Sequence, residues 1–200
     1  MIEWIRSKNN MLVPIVDGKA LTSKVDPMRE AQSWSSRILE EVYEDTDIVV
    51  ILGIGAGYHI DVLSDKTDRH IVALDFMEEF VNKREDKERV KHYYIKKKED
   101  VWFQQTFQAL GDKRWQVFLH GPSISSLKSS YFQLRDYINL RTLDAVSRFE
   151  QVDGAIKFHS NIKLKDDANG LIDLKESVKT LSGKTNRSAY IWKALEEICK

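Results

Sequence analysis

The apolar positions of the chain change period along its length, and each change marks an element. Residues 11–23, "MLVPIVDGKALTS", read as two short strands joined at Asp17-Gly18, a dipeptide suited to a tight hairpin turn. Asp26-Pro27 then opens a helix, with Asp26 as N-cap and Pro27 at the first helical position. Ala31, Trp34, Ile38 and Val42 give it a stripe at helical spacing. From residue 47 the pattern turns to continuous apolar runs, as in strands buried on both faces. "DIVVILG" (47–53), "HIVALD" (70–75), "VKHYYI" (90–95) and "RWQVFLH" (114–120) are the predicted strands. Between them fall helical stretches: one from the glycine loop to about Lys66, "FMEEFVNKRED" (76–86) and "DVWFQQTFQAL" (100–110). Strand alternating with helix predicts βαβ units and a Rossmann-like, doubly wound, mainly parallel α/β sheet.

Beyond residue 122 the pattern is mostly helical. Leu127, Tyr131, Leu134 and Ile138 hold the spacing, and Leu143, Val146 and Phe149 carry it toward a break near Gly154. A polar patch (163–170) precedes two shorter helical segments ending at Cys199. The expectation is a single domain: a hairpin over 1–25, an α/β core over 26–122 and a helical extension over 123–200.

Composition narrows the classes of function. Lys plus Arg and Asp plus Glu both number 31, so the formal net charge is zero, and general electrostatic binding of nucleic acid or acidic membrane has no support. The longest apolar run, Ile48 to Ala56, is far short of a membrane span, and "MIEWIRSKNN" lacks the apolar core of a secretory signal. The single cysteine, Cys199, excludes an internal disulfide and a cysteine-rich metal site. A cytoplasmic protein with no membrane span and no nucleic-acid partner is expected.

The chemistry concentrates in "VVILGIGAGYHIDVL" (49–63). Glycines at the carboxyl end of a strand in an open α/β sheet let the backbone approach a ligand closely. A dinucleotide fingerprint, G-x-G-x-x-G, would need glycine at 58, where the chain has Tyr58. The G-x-G-x-G spacing suits an S-adenosylmethionine-type loop better. Asp75 ends the next strand, where an acidic residue can accept from ribose hydroxyls. Candidate cofactor-binding residues are therefore Gly53, Gly55, Ala56, Gly57, Tyr58 and Asp75, for S-adenosylmethionine or a sugar nucleotide. The competing account is plainer: the glycines permit a sharp turn, and Asp75 caps the helix after it.

Catalysis is harder to read. His120, in "LHGPS" (119–123), is a weak candidate general base, set against a histidine simply hydrogen-bonded at a strand end. "TLSGKT" (180–185) fails as a phosphate loop because the required upstream glycine is Val178. "IKKKED" (95–100) reads as a solvated loop before a helix. His59, His70, His92, His120 and His159 lack metal-ligand spacing, and no Ser/His/Asp or Cys/His arrangement is legible.

Several segments together resemble the N-terminal region of the motility accessory factor family, bacterial flagellin glycosyltransferases. "LTSKVDPMREA" (21–31) is similar to that family's Ser-Lys-x-Asp/Asn-Pro-x-x-Glu-Ala segment, and "GIGAGYHIDVL" to its Gly-x-Gly-x-Gly-Tyr-His loop. "ALDFMEEF" stands where the family has an acidic residue. "VFLHGPSISSLKSSYFQLRDYI" resembles its His-x-Pro segment and following helix, and "FHSNIKL" puts Asn161 in register with a later element. The resemblance, over roughly residues 12–180, implies a Rossmann-like region, a nucleotide-type ligand and a role beside glycosylation or motility proteins. In the family a sialyltransferase-like domain with a Gly-Pro-Ser-Leu-Asp motif follows and is implied to transfer a nonulosonic acid. "HGPSISS" lies too early for that motif and lacks its Asp. The expectation is a stand-alone binding domain without that catalytic part. A small S-adenosylmethionine-dependent methyltransferase and a degenerate protein-interaction domain are the alternatives.

Overall fold

A computed structural model of the chain describes residues 2–103 and 113–149. The chain divides into two compact units, one through Arg135 and one from Asp136 onward. The first begins with an antiparallel sheet of β1 (Ile2–Arg6), β2 (Leu12–Val16) and β3 (Lys19–Ala20), in that order. The turn between β2 and β3 is the expected one: Asp17 and Gly18 both take positive φ, 49° and 75°, as a two-residue hairpin turn with right-handed strand twist requires. The pairing of β1 with β2, from Ile2↔Val16 to Arg6↔Leu12, adds a strand the periodicity does not announce.

Helix α1 (Pro27–Glu41) starts where Asp26 and Pro27 place it, with the Asp26 carboxylate accepting from Arg29 N at 3.0 Å. Its stripe of Ala31, Trp34 and Ile38 is buried. Four parallel strands follow: β4 (Ile48–Leu52), β5 (His70–Asp75), β6 (Val90–Tyr94) and β7 (Trp115–Leu119). They lie in the order β6-β5-β4-β7. The order runs outward from β4 to β6 on one side and jumps to β7 on the other, so it reverses between β4 and β7. Every residue of β4 is buried, which accounts for its unbroken β-branched run. Val49, Ile51, Ile71, Ala73 and Val90 from the sheet share one core with Trp34 and Ile38 of α1, Ile60 and Leu63 of α2 (Tyr58–Ser64), Phe80 of α3 (Glu78–Asn82), and Val16 and Leu21. The N-terminal sheet is thus packed onto the α/β core.

Helices are shorter than the sequence predicts. Only Glu78–Asn82 of the 76–86 stretch is α-helical. Lys98–Phe103 forms 3-10 turns, and residues 104–110 of the helix expected over 100–110 lie outside the described residues. The continuous stripe beyond Leu127 is interrupted. One helix, α4, spans Lys128–Ile138, and another, α5, spans Leu143–Arg148 in the second unit. Leu140 at φ 55° ends the first, and Thr142 caps the second by accepting from Ala145 N at 3.2 Å. The predicted break at Gly154, the patch 163–170, Asn161, the segment 180–185 and Cys199 lie outside the described residues. No helix among the described residues is long and apolar enough to cross a membrane.

Candidate functional site

The glycine loop runs from the carboxyl end of β4 into α2. Gly53, Gly55 and Gly57 all have positive φ, at 95°, 51° and 81°. Conformation is one reason for glycine here and proximity is another. A Cβ on Gly53 would stand 2.8 Å from Ile124 Cγ2 and 2.9 Å from Ser123 Cβ. On Gly55 it would stand 2.5 Å from Ser123 Oγ, and on Gly57 2.7 Å from Arg84 Nη1. The chain's own side chains therefore occupy the faces that glycine leaves bare. Ala56 and Tyr58 are half-buried at the outer edge, and the Tyr58 hydroxyl donates to Leu12 O of β2 at 3.0 Å.

Asp75 stands beneath this loop and is completely buried. One carboxylate oxygen accepts from Ile54 N at 2.7 Å and, more weakly, from Gly55 N at 3.4 Å. The other accepts from Met77 N and from the Tyr131 hydroxyl, each at 2.8 Å. All the acceptor positions of the carboxylate are engaged within the chain. Burial pushes the Asp75 carboxyl up, against the pull of these donors. Burial also pushes the Tyr131 phenol well up, and the Asp75 charge adds to this, so Tyr131 acts as donor. Asp75 therefore fastens two backbone turns and one helix side chain. Its bond near α3 goes to Met77, which is itself the N-cap residue, so Asp75 does not cap a helix starting at Phe76.

His120 lies directly after β7, across the order reversal from the glycine loop. Its Nδ1 is 2.6 Å from Ser123 Oγ and its Nε2 is 3.1 Å from Glu30 Oε1 of α1. Glu30 also accepts from Thr22 Oγ1 at 3.3 Å, and Ser123 Oγ lies 3.3 Å from Leu21 O. The His59 ring stacks on His120, with centroids 3.6 Å apart, and Trp34 meets both rings edge-on. His59 Nε2 donates to Gly53 O at 3.1 Å, which closes the loop on itself. A hydroxyl, an imidazole and a carboxylate in series is the arrangement the sequence alone did not reveal. Its chemistry is restrained by access: Ser123 and His120 are 2% and 1% exposed. The acid bonds Nε2 and the hydroxyl Nδ1, so the ring is held at both ends inside the fold. Of the three, the sequence singles out His120 alone, as a candidate general base.

Arg84 completes the site. Its guanidinium lies against Gly57 and forms an ion pair with Asp61 of α2. Arg84 Nε is inaccessible to solvent and makes no hydrogen bond among the described residues.

Two cavities lie elsewhere. One of about 240 Å³ is lined by Ser64, Thr67, Arg69 and Arg89, and one of about 630 Å³ by Thr46, Asp47, Arg69 and His70. Both sit at the amino ends of the strands, where Arg69 is already spent on the carbonyls of Thr46, Tyr43 and Glu44. Among the described residues no group of three or more His, Cys, Asp or Glu side chains could hold a metal ion. No protein-family model, curated protein or solved structure matches the chain.

Proposed function

We propose that the chain is a Rossmann-like domain that takes a nucleotide-type ligand at the carboxyl edge of its parallel sheet. The observation that carries this reading is the strand order β6-β5-β4-β7, which sets the glycine loop and the "HGPS" loop on either side of the reversal. Open α/β sheets bind ligands at such a reversal. The ligand would be held by the main chain at Gly53, Gly55, Ala56, Gly57 and Tyr58 and by Arg84. Asp75 would act through the loop it fastens. The resemblance in "SKVDPMREA" and "GAGYHI" supports a place beside the proteins of flagellin or surface glycosylation.

A second reading is favoured by a specific observation. Ser123, Ile124 and Arg84 already fill the space against the glycines, and both Asp75 oxygens are engaged. On this reading the loop is structural and the domain serves protein–protein interaction with no small ligand.

A thermal-shift screen with S-adenosylmethionine, S-adenosylhomocysteine, CMP- and UDP-sugars, and ATP with magnesium separates the two. A ligand present at about 100 times its Kd stabilises the folded state by about 2.7 kcal/mol. A rise that is lost in Arg84→Ala supports the first reading. No rise with any of them at millimolar concentration supports the second.

A further inference from the structure

We infer that residues 17–25, the connection from β2 through β3 to α1, are a strap that closes the carboxyl edge of the parallel sheet and lifts to open it. This rests on the nucleotide-type reading and names the step that gates its site. Gly53, Gly55 and Gly57 are buried, and Ser123 and His120 are 2% and 1% exposed. Leu21 lies on both loops. A Cβ on Gly55 would be 3.5 Å from Leu21 Cβ, and Ser123 Oγ is 3.3 Å from Leu21 O. The Leu21 side chain is fully buried, in one core with Val16, Ile54 and Ile60. A ligand at this edge therefore has to displace Leu21 before it reaches the glycine loop or Ser123.

The strap is tied down by few bonds. β1 pairs with β2 along five residues, whereas β3 pairs with β2 only at Ile15↔Ala20 and Val16↔Lys19. Pro14 ends that ladder: Leu21 N–H donates to Pro14 O at 2.9 Å, and Pro14 has no N–H to return. Leu21 O is left to the Ser123 hydroxyl, whose single proton also lies within reach of His120 Nδ1 at 2.6 Å. The other ties are side chains and one main-chain bond. Lys19 Nζ donates to Ser125 O at 3.0 Å, Thr22 Oγ1 to Glu30 Oε1 at 3.3 Å and Lys8 N to Lys24 O at 3.1 Å. A turn stands at each end. Asp17 and Gly18 both have positive φ, and the Ser23 hydroxyl accepts from Val25 N and Asp26 N at 3.2 and 3.0 Å. Breaking these bonds leaves β1 and β2 in place, so lifting is a local opening and not an unfolding of the sheet. Burial of Leu21 keeps the strap shut by default. Lifting takes Leu21 away from Gly55 and Ser123 together, so one movement uncovers the loops on both sides of the order reversal. A ligand that seats on the open form binds more weakly by the fraction of chains that are open.

Hydrogen exchange of the full native chain, in urea below the unfolding transition, tests this. The Leu21 amide should exchange by an opening that depends little on urea, while Ile51 of β4 exchanges only by global unfolding. Val72→Ala in β5 should speed Ile51 and leave Leu21 unchanged. Lys19→Met, which removes the bond to Ser125 O, should speed Leu21 about five-fold, one net hydrogen bond's worth. A thiol placed by Ser123→Cys, with Cys199→Ser removing the native one, should react with a disulfide reagent at the same weak urea dependence. Leu21 exchange that follows Ile51 in urea and in Val72→Ala overturns the inference, and so does a thiol at 123 that reacts only through global unfolding. The wild-type exchange decides the matter even where Ser123→Cys does not fold. CMP, AMP and S-adenosylhomocysteine then probe the gate by titration. A nucleotide that binds Lys19→Met about five-fold more tightly than wild type supports the strap, and equal binding by the two proteins overturns it as a gate. Nucleotide binding without local opening at Leu21 leaves the nucleotide reading standing and the strap refuted. Local opening with no nucleotide bound leaves the strap standing and the wider reading refuted.

Discussion

His59 and His120 stack face to face, their rings 3.6 Å apart and within 6° of parallel, in the interior of the domain. The pair joins the glycine loop to the end of β7, because His59 also holds Gly53 O and His120 also holds Ser123 and Glu30. Two positive charges at that distance would repel strongly in a dry setting. Burial, and after it the His120 ring, holds the His59 imidazole well below its ordinary value of 6.5.

A loss of stability on mild acidification follows. Below about pH 6.5 the unfolded chain takes up a proton on His59 that the folded site refuses, so the unfolded state gains. The effect is absent above that pH and grows as pH falls, until the folded pKa is reached. At pH about 5.5, His59 alone should cost about 1.4 kcal/mol relative to pH about 7.5. His92, also lowered by burial, acts in the same direction. Urea unfolding at the two pH values, with the His59 resonance followed by NMR, measures this. Equal stability at both, or a His59 ring that titrates near 6.5, would contradict it.

The Asp75 carboxylate should be worth more to the fold than an ordinary surface acid. Asp75→Ala leaves Ile54 N, Met77 N and the Tyr131 hydroxyl without their acceptor, at about 1–3 kcal/mol for each buried donor left unpaired. A total of about 2–4 kcal/mol is expected, since water and small shifts recover part. Tyr131→Phe removes one donor from a carboxylate that keeps the others and should cost about 1–2 kcal/mol. Chemical denaturation of the two variants gives the ranking. An Asp75→Ala protein as stable as wild type would show that the loop holds without its anchor.

Much of this was open to sequence reasoning and some was not, for physical reasons visible in particular residues. Asp17-Gly18 and Asp26-Pro27 are local devices whose conformations depend on a few neighbouring atoms, and both form as read. The unbroken apolar runs marked the four parallel strands because burial on two faces demands them. Strand β1 escaped because its place depends on pairing with β2, not on its own pattern. The helix over 76–86 shrank to Glu78–Asn82, since the charged residues after Asn82 offer little to bury. The Ser123–His120–Glu30 series is assembled from α1 and the end of β7, and no spacing along the chain encodes such a meeting. The sequence marks Asp75 at a strand end, as a ribose acceptor or a helix cap. Its direction, into the loop, is a tertiary fact.

Substituting the glycines one at a time separates conformational cost from collision. Gly18, Gly53, Gly55 and Gly57 all have positive φ, so an alanine at any of them carries about 1 kcal/mol of backbone strain. At Gly18 nothing lies within 4 Å of the added Cβ, and that strain is the whole effect. At Gly57 the obstacle is the flexible end of Arg84, which can swing aside at the expense of its Asp61 contact. At Gly53 and Gly55 the obstacles are Ser123 and Ile124, themselves buried and fixed, so overpacking adds about 1–3 kcal/mol. The expected order of destabilisation is Gly18→Ala below Gly57→Ala below Gly53→Ala and Gly55→Ala. Pairing Gly55→Ala with Ser123→Ala removes the nearest atom, Oγ, while leaving Ser123 Cβ 3.2 Å away. The double variant should therefore recover part of the Gly55→Ala loss, a coupling that denaturation curves of the four-protein cycle would measure. If all four glycine variants cost the same, contact with Ser123 is irrelevant and the glycines serve backbone conformation alone. The space above the loop would then be free for a ligand in a way the observed packing is not.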